Sequence, residues 1–346
     1  MKAQIRYLAI SLGVAFFAAC GGGGGGGGSG TVAPPAGPAL AEITSQDAPA
    51  ITAGATIVAA DTAELAGTSG SNLILSSAAT STGDTVGAAE IVLRLIRLHG
   101  ANRQLIRILV PVGPFTESCP GGGSVTFSGD LQDLTTLSEG DSITADFSNC
   151  DDGFGVVLNG GFDFTFVSFS QSVVDCFFDN ICSGQDQLTV DINFRNFQVT
   201  TGTETDSADG DARLALDNTS LPLSTVTISG DSLTISKGAF SESLSAYSTT
   251  VTVDFSTGAY TIDSNGTVEI PSLFSGSVIF ATTDPLRGFF PVEPDSGSVL
   301  IEGADSATIT LIVLNNVQLQ LDIDLDGDGI VDDTQFTTWD ELGALL

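Results

Sequence analysis

The chain has 346 residues, with 10 Lys and Arg against 42 Asp and Glu, a single His and a formal net charge of −32 at pH 7. Because nucleic acids are bound through clustered Lys and Arg, this excess of acid argues against a nucleic-acid partner. The hydrophobic fraction of 42%, with only 15% charged residues, is enough for a packed core and argues against wholesale disorder.

The chain opens with a short positively charged region followed by an apolar run. Lys2 and Arg6 precede the run, which extends over residues 7–19. This run is too short for a permanent membrane span and has the design of a secretory signal. Residues 1–19 are therefore predicted to be a signal peptide.

The end of this signal resembles the lipobox of bacterial lipoproteins, because the small residues Ala18 and Ala19 directly precede Cys20. The resemblance implies cleavage before Cys20, a diacylglyceryl thioether on its sulfur and a fatty acyl chain, such as palmitate, on its amino group. Gly21 stands where Asp would imply retention at the inner membrane. The resemblance therefore implies a lipid anchor in the outer membrane, with the body of the protein facing the periplasm or the surface.

A Gly- and Pro-rich stretch follows, and residues 20–45 are predicted to be a tether. Its glycines have no side chains to bury and the greatest backbone freedom. For residues 21–45 the scaling of Gly-rich coils gives a reach of roughly 25–30 Å. After cleavage the chain keeps 8 Lys and Arg against 42 acids, so we expect the acyl chains, and not surface charge, to hold it at the membrane.

Residues 46–114 are predicted to be a helical segment that packs on the main domain. A first helix is expected over about 46–64, with Ser45 as its N-cap. A second is expected over 86–99, ending before Gly100. Four of the eight basic residues of the mature chain fall in or just after it: Arg94, Arg97, Arg103 and Arg107. They form either an anion or lipid-headgroup site or a basic helix face packed against acidic strands.

From residue 115 to 346 the hydrophobic pattern changes to a period of two. The apolar residues of segment 188–194 alternate with polar ones, which predicts a half-buried strand. Asn265-Gly266 is a type I′ hairpin signal, and Asn315-Asn316 separates two further alternating runs. Ten or more such strands predict a mainly antiparallel β domain, either a sandwich or a strongly curved sheet.

Nine Phe residues fall between Phe154 and Phe197. Aromatic side chains on the inner face of strands are typical of a packed core. The same residues could instead line a lipid-sized cavity, which would make the protein a carrier of lipids or other hydrophobic ligands.

Four cysteines remain after Cys20, and an exported chain is expected to oxidise them. Three pairings are open, and the one without nested loops is preferred here: Cys119 with Cys150, and Cys176 with Cys182. The spacings match no zinc pattern.

Two short segments resemble the GDSL motif of serine hydrolases. Gly230–Leu233 matches it literally, and Gly140–Ile143 differs from it by one residue. Such an enzyme needs a general base, usually a His downstream of the Ser, whereas the single His99 is upstream of both. Gly-Asp-Ser is also common in turns, which is the interpretation favoured here. A serine hydrolase is thus an unfavoured alternative.

The strongest chemical signal is the Asp loop, residues 324–335. Closely spaced carboxylates with a Gly at the sharp turn suit Ca²⁺, which binds six to eight oxygens. The segment resembles the calcium loops of EF-hand, dockerin and thrombospondin type 3 modules. The expected ligands are Asp324, Asp326, Asp328, the Ile330 carbonyl, Asp332 and Gln335. Gln335 replaces the usual Glu, so weak affinity is expected.

Together these features resemble a group of uncharacterised lipoproteins of Gram-negative bacteria. The resemblance rests on the lipobox, segment 43–48, the Cys119–Gly122 turn, and the Asp loop with the Thr337-Thr338-Trp339 that follows it. It implies a cell-envelope location and a β-rich body, but no activity. The leading hypothesis is a non-enzymatic structural or binding role, stabilised by calcium, with an envelope protein or lipid as the unidentified partner.

Overall fold

The computed structural model describes residues 39–56, 114–130, 138–170, 187–237, 240–290 and 292–345. Several predicted features lie outside these residues. They are the signal peptide 1–19, Cys20, the helix 86–99, the four arginines Arg94, Arg97, Arg103 and Arg107, and the cysteines Cys176 and Cys182.

One antiparallel sheet of 14 strands dominates the described part of the chain, and each strand pairs with the strand that follows it. The strands are β1 (Phe115–Ser118), β2 (Gly122–Asp130), β3 (Ser142–Asp151), β4 (Val156–Phe169), β5 (Gln187–Thr201), β6 (Glu204–Asp217), β7 (Leu223–Lys237), β8 (Phe240–Asp254), β9 (Ala259–Glu269), β10 (Ser277–Phe289), β11 (Ser296–Glu302), β12 (Thr308–Val313), β13 (Gln318–Asp324) and β14 (Asp333–Thr338). The predicted antiparallel β architecture is confirmed, as one continuous sheet with β1 and β14 at its edges.

The alternating hydrophobic pattern explains which side of each strand is buried. In β5 the apolar residues at 188, 190, 192 and 194 are buried, and the polar residues between them are half-buried or exposed. The hairpin of β12 and β13 pairs the two alternating runs that flank Asn315-Asn316, with Val313 opposite Leu319 and Ile309 opposite Ile323. The apolar positions of both strands therefore meet on the inner face of the sheet.

Residues with positive φ lie in every strand from β2 to β9 except β7. They coincide with register shifts in these strands, each of which inserts an extra residue and bends the strand. We call these residues the bend row: Gly123, Asn149, Gly160, Asn196, Gly210, Ala246 and Gly266.

Side chains of facing strands bind backbone groups within the bend row. A bulge leaves a backbone N–H without a hydrogen-bond acceptor on the neighbouring backbone, and this N–H needs another acceptor. The N–H of Asn149 donates to Oδ1 of Asn159, and that of Asn196 donates to Oδ1 of Asp209, both at 2.8 Å. The bends are therefore supported by hydrogen bonds from one strand to the next.

The bend row corrects two predictions. Asn265-Gly266 does not form a hairpin turn but lies inside β9, where a Cβ on Gly266 would come within 2.5 Å of Cβ of Tyr247. Gly230–Leu233 likewise lies inside β7 and not in a turn. Turns and bulges both favour residues that tolerate positive φ, so the short local signal does not separate them.

Helix α1 covers residues 48–56 of the described chain, and the rest of the predicted helix 46–64 lies outside it. The predicted cap Ser45 is wrong. Oγ1 of Thr44 accepts a hydrogen bond from the N–H of Asp47 at 3.2 Å, whereas the carbonyl of Ser45 accepts one from the Gln335 side chain. The helix therefore begins after a turn that Thr44 stabilises.

The helix is buried along its last six described residues, on all sides. A Cβ on Gly54 would lie 2.9 Å from atoms of both Ile270 and Phe274, which follow strand β9. Glycine at this position lets the helix approach the sheet closely. Helix α1 thus forms part of the core, as predicted for a segment packed on the main domain.

Residues 39–45, predicted as part of the tether, instead contact the sheet. The N–H of Ala41 donates to the carbonyl of Ser277 at 2.7 Å, and the N–H of Ala304 donates to the carbonyl of Ala41 at 2.7 Å. Ala41 and Ile43 are both buried. The apolar side chains of this segment explain why it packs, since only residues up to Pro38 have the composition of a linker.

The described chain ends with a short helix α2 (Trp339–Gly343), capped by the side chain of Thr338. The indole N–H of Trp339 donates to the carbonyl of Pro294 at 3.3 Å, which joins the helix to the β10–β11 connection. None of the helices in the described residues is long and apolar enough to cross a membrane.

Candidate metal centre

The Asp loop connects the adjacent strands β13 and β14. Asp324 is the last residue of β13, and only 8% of its surface is exposed. Residues 325–332 form an irregular, exposed connection before β14 begins at Asp333. The sheet therefore fixes both ends of the loop and places its first carboxylate at the boundary of the core.

Three carboxylates of the loop come together. Asp324, Asp326 and Asp332 each place an oxygen so that all three atoms lie within 4.8 Å of one another. Carboxylate oxygens are the preferred ligands of hard divalent cations, and a cation between them would offset their mutual repulsion. Of all Asp, Glu, His and Cys side chains in the described residues, these three are the ones that lie close enough together to hold a metal ion.

The backbone of the loop turns around Asp324. Its Oδ1 accepts a hydrogen bond from the N–H of Gly327 and its Oδ2 from the N–H of Gly329, both at 2.8 Å. Both glycines have positive φ, 72° and 84°, which allows the sharp turns. Loss of water contact raises the pKa of Asp324, but the backbone hydrogen bonds outweigh this and hold the pKa below its ordinary value.

Asp332 closes the other side of the loop. Its Oδ2 accepts a hydrogen bond from the N–H of Leu325 at 2.8 Å, and its own N–H donates to the carbonyl of Ile323 at 2.8 Å. These two bonds tie the end of the loop to its beginning. Asp324 and Asp332 are thus held near each other by hydrogen bonds to the backbone of the loop.

The structure does not bring the whole predicted ligand set together. Asp328 is not a member of the three-carboxylate group, and its Oδ1 accepts a hydrogen bond from the N–H of Ile330 at 2.7 Å. The Ile330 side chain is 67% exposed. Asp324, Asp326 and Asp332 therefore form the three-carboxylate group, Asp328 lies outside it, and the Ile330 carbonyl stays a predicted ligand.

Gln335 also differs from its predicted role. It lies in β14, and its side-chain amide donates to the carbonyl of Ser45 at 2.7 Å and to Oδ2 of Asp333 at 3.0 Å. In the predicted register it was the twelfth loop residue, but the strand begins at Asp333 and directs Gln335 to the segment before α1. Gln335 joins the Asp loop to the N-terminal part of the described chain.

The cysteine prediction can be checked for one pair. Cys119 and Cys150 form a disulfide with a Cα–Cα distance of 5.3 Å, as the preferred pairing predicted. It connects the β1–β2 turn to the end of β3.

The Phe-rich strands fill the core with their own rings. Phe147, Phe162, Phe194 and Phe197 are buried, with ring centroids 5.5–6.3 Å apart in successive pairs. Edge-to-face and stacked contacts at these distances are typical of an aromatic core. These four Phe residues therefore belong to a packed aromatic core, whereas Phe154 is 93% exposed, and the carrier alternative stays a prediction.

Ser232 of the GDSL-like segment lies within β7. The single His99 lies outside the described residues. The hydrolase alternative therefore stays a prediction from the sequence.

One buried acid was missed by the sequence reasoning. Glu242 in β8 lies on the inner face with only 4% of its surface exposed, and burial raises its pKa to about 8. Its position in the period-two pattern, in phase with Leu244, could have revealed it.

Comparison of the chain with protein-family models, with curated proteins and with solved structures gives no match. The function is therefore argued from the sequence and from this geometry alone.

Proposed function

We propose that this protein is a lipid-anchored module of the bacterial outer membrane, with a non-enzymatic structural or binding role, whose Asp loop binds Ca²⁺. The anchor is proposed at Cys20, on the lipobox-like sequence before it. The calcium site is proposed at Asp324, Asp326 and Asp332, with Asp328 and Ile330 close enough in sequence to contribute when the ion is bound.

The observation that carries the calcium assignment is the grouping of three carboxylate oxygens within 4.8 Å in a loop already folded around Asp324. All side-chain donors of the group are oxygens, which favours Ca²⁺ or Mg²⁺ over metals that prefer nitrogen or sulfur. The irregular loop favours Ca²⁺, because Mg²⁺ demands near-ideal octahedral geometry. Extracellular calcium modules bind with dissociation constants of about 0.1–1 mM, the range expected here.

Calcium that binds only the folded state would stabilise the β13–β14 connection. At a free concentration of about 100 times the dissociation constant, this linkage gives about 2.7 kcal/mol. We therefore expect the melting temperature of the mature protein in detergent to rise with added calcium and to fall back with chelator.

Two substitutions make this test specific. Asp326→Asn removes one member of the group and should abolish most of the calcium-dependent rise. Glu302→Gln removes an exposed carboxylate at the end of β11 that is not part of the group and should leave the rise unchanged. A melting temperature that does not respond to calcium would refute the calcium site, and equal responses from both variants would refute its location.

The anchor is tested separately by mass spectrometry of the N-terminal peptide. We expect a mature chain that begins at Cys20 and carries the mass of a diacylglyceryl group and an acyl chain. Palmitate labelling should be lost in Cys20→Ser. An unmodified N-terminal peptide beginning at another residue would remove the lipoprotein assignment and leave the calcium site untouched.

A further inference from the structure

The first described residues and the Asp loop lie at the same end of the sheet. Ala304 donates to the carbonyl of Ala41, so segment 39–41 contacts the turn between β11 and β12. A Cβ on Gly327 would lie 2.6 Å from Cβ of Ser306 in the same turn. We call the end formed by segment 39–45, turn 303–307 and loop 325–332 the tether end.

The tether end exposes large apolar side chains on the Asp loop. Ile330 is 67% exposed, Val331 50% and Leu325 38%. Within the same loop, carboxylates turn back to accept backbone N–H groups, as Asp324 and Asp332 do. Other described apolar residues are as exposed, among them Phe336 at 70% and Val317 at 52%, so exposure alone does not mark this end as a contact surface, and its position beside the tether is the second observation.

The position where the described chain begins indicates that lipid is what contacts the tether end. Only residues 21–38 separate the proposed anchor at Cys20 from Ala39, and their Gly- and Pro-rich composition predicts a reach of about 21–25 Å. That reach is similar to the length of the six-residue strand β12, about 20 Å, so the end of the sheet that the tether enters is nearer to the lipid than the opposite end. An anchored protein therefore holds its tether end close to the lipid surface.

We propose that the tether end rests on the membrane, with Ile330 and Val331 inserted among the lipid headgroups. This inference depends on the proposed lipid anchor. Two apolar side chains would not hold a free protein at a membrane. The anchor raises the local concentration of the loop at the lipid surface, so in the anchored protein these two side chains are sufficient for contact. The acidic loop disfavours an anionic surface, so zwitterionic lipid is the surface it enters.

The opposite end of the same strands supplies a matched control. Leu314, in the turn between β12 and β13, is 45% exposed, similar to Val331. The six-residue strand β12 separates this turn from the tether end by about 20 Å. A tryptophan at Leu314 therefore reports an equally exposed position on the side that faces away from the lipid.

The experiment uses the mature lipidated protein in vesicles of phosphatidylcholine, with and without brominated phosphatidylcholine as a quencher. Ile330→Trp and Val331→Trp are compared with Leu314→Trp, and the signal of Trp339, present in all of them, is subtracted with the unmutated protein. We expect the added tryptophan at 330 or 331 to lose at least twice the fraction of emission lost at 314. All three positions are exposed, and circular dichroism verifies that the variants fold.

Flotation of the vesicles separates the two ways in which the inference can fail. Protein that floats, with equal quenching at the three positions or more at 314, overturns the membrane-facing orientation and leaves the anchor in place. Protein that carries no lipid mass and does not float overturns the proposed anchor and the orientation with it. Protein that floats with stronger quenching at 330 and 331 supports both.

Discussion

Strands β2–β9 and strands β11–β14 belong to one sheet but bury their inner faces in different ways. The first group is crossed by the bend row, and its core contains Phe rings and a buried acid, Glu242. The second group has uninterrupted registers and a core of Ile and Leu that is fully buried at 309, 311, 319, 321 and 323. The comparison shows that strands β12–β14 need no special backbone conformation and that β11 contains one residue with positive φ, Gly297, whereas almost every strand of the bent group contains at least one.

The largest effect is expected from a side chain inside the bend row. Gly160 has a φ of 74°, and a Cβ there would lie 2.0 Å from the carbonyl oxygen of Asn196. Gly160→Ala should therefore lower the free energy of unfolding by about 3–5 kcal/mol, through backbone strain and a steric clash. Urea denaturation measures this loss.

Gly202→Ala is the matched control for that substitution. Gly202 also has positive φ, at 63°, but a Cβ there would meet no atom within 4 Å. Only the conformational strain of about 1 kcal/mol should remain. An equal loss of unfolding free energy at both positions would mean that close packing along the bend row does not explain the effect of Gly160→Ala.

A second large effect is expected at the disulfide, which joins the β1–β2 turn to β3 and touches none of the strands β11–β14. Replacing Cys119 and Cys150 by Ala should cost about 3–4 kcal/mol, from the loop entropy of the unfolded chain. Hydrogen exchange should then show lost protection in β1–β3 and retained protection in β11–β14. Uniform loss across both groups would show that the sheet unfolds as one unit and would weaken the comparison.

The buried acid makes the bent group sensitive to pH. The pKa of Glu242 is raised from 4.5 to about 8, so between these values the unfolded state is ionised while the folded state keeps its proton. The stability contributed by this group is present below pH 4.5 and is lost as the pH rises through 8. Glu242→Gln should remove that loss, on the order of a few kcal/mol at pH 9.

The readout is the difference in unfolding free energy between pH 5 and pH 9, compared in the wild type and the variant. Glu302→Gln, at an exposed position, supplies the control and should keep the wild-type difference. If Glu242→Gln keeps the same pH dependence as the wild type, Glu242 is ionised in the folded protein.

The smallest effect is expected from a substitution that relieves backbone strain in the bend row. Ala246 in the bend row has a φ of 46°, where a residue with a Cβ is strained. Ala246→Gly should stabilise the protein by roughly 0.5–1 kcal/mol, because the relief exceeds the added chain entropy. Ala215→Gly, in an extended part of β6, should instead destabilise it. A loss in both variants would show that strain at 246 is negligible.

The strands could be predicted from sequence because burial on one face imposes a period of two that is visible locally. The pairing of β12 with β13 follows from the same pattern, whereas their exact register does not. The bend row could not be predicted, because each member is a single Gly, Asn or Ala whose role depends on the strand beside it. Asn265-Gly266 was assigned to a hairpin for this reason.

The candidate site was predicted in part. The spacing of Asp324, Asp326 and Asp332 indicated an oxygen-rich loop, and the structure brings these carboxylates together. The role of Gln335 depends on its contact with Ser45, which is 290 positions away in sequence. Such a contact is set by the fold as a whole, so no local pattern could reveal it.

The bonds between segment 39–41 and the sheet have a mechanical consequence. Tension applied to the protein through its N-terminal tether would load the two hydrogen bonds with Ser277 and the one with Ala304 before any strand pair. After they break, the hydrogen bond between Gln335 and the carbonyl of Ser45 would be loaded next, and then helix α1, which is buried in the core. A protein held at Cys20 would therefore transmit force directly into its interior, and the strength of these three bonds would determine when unfolding begins.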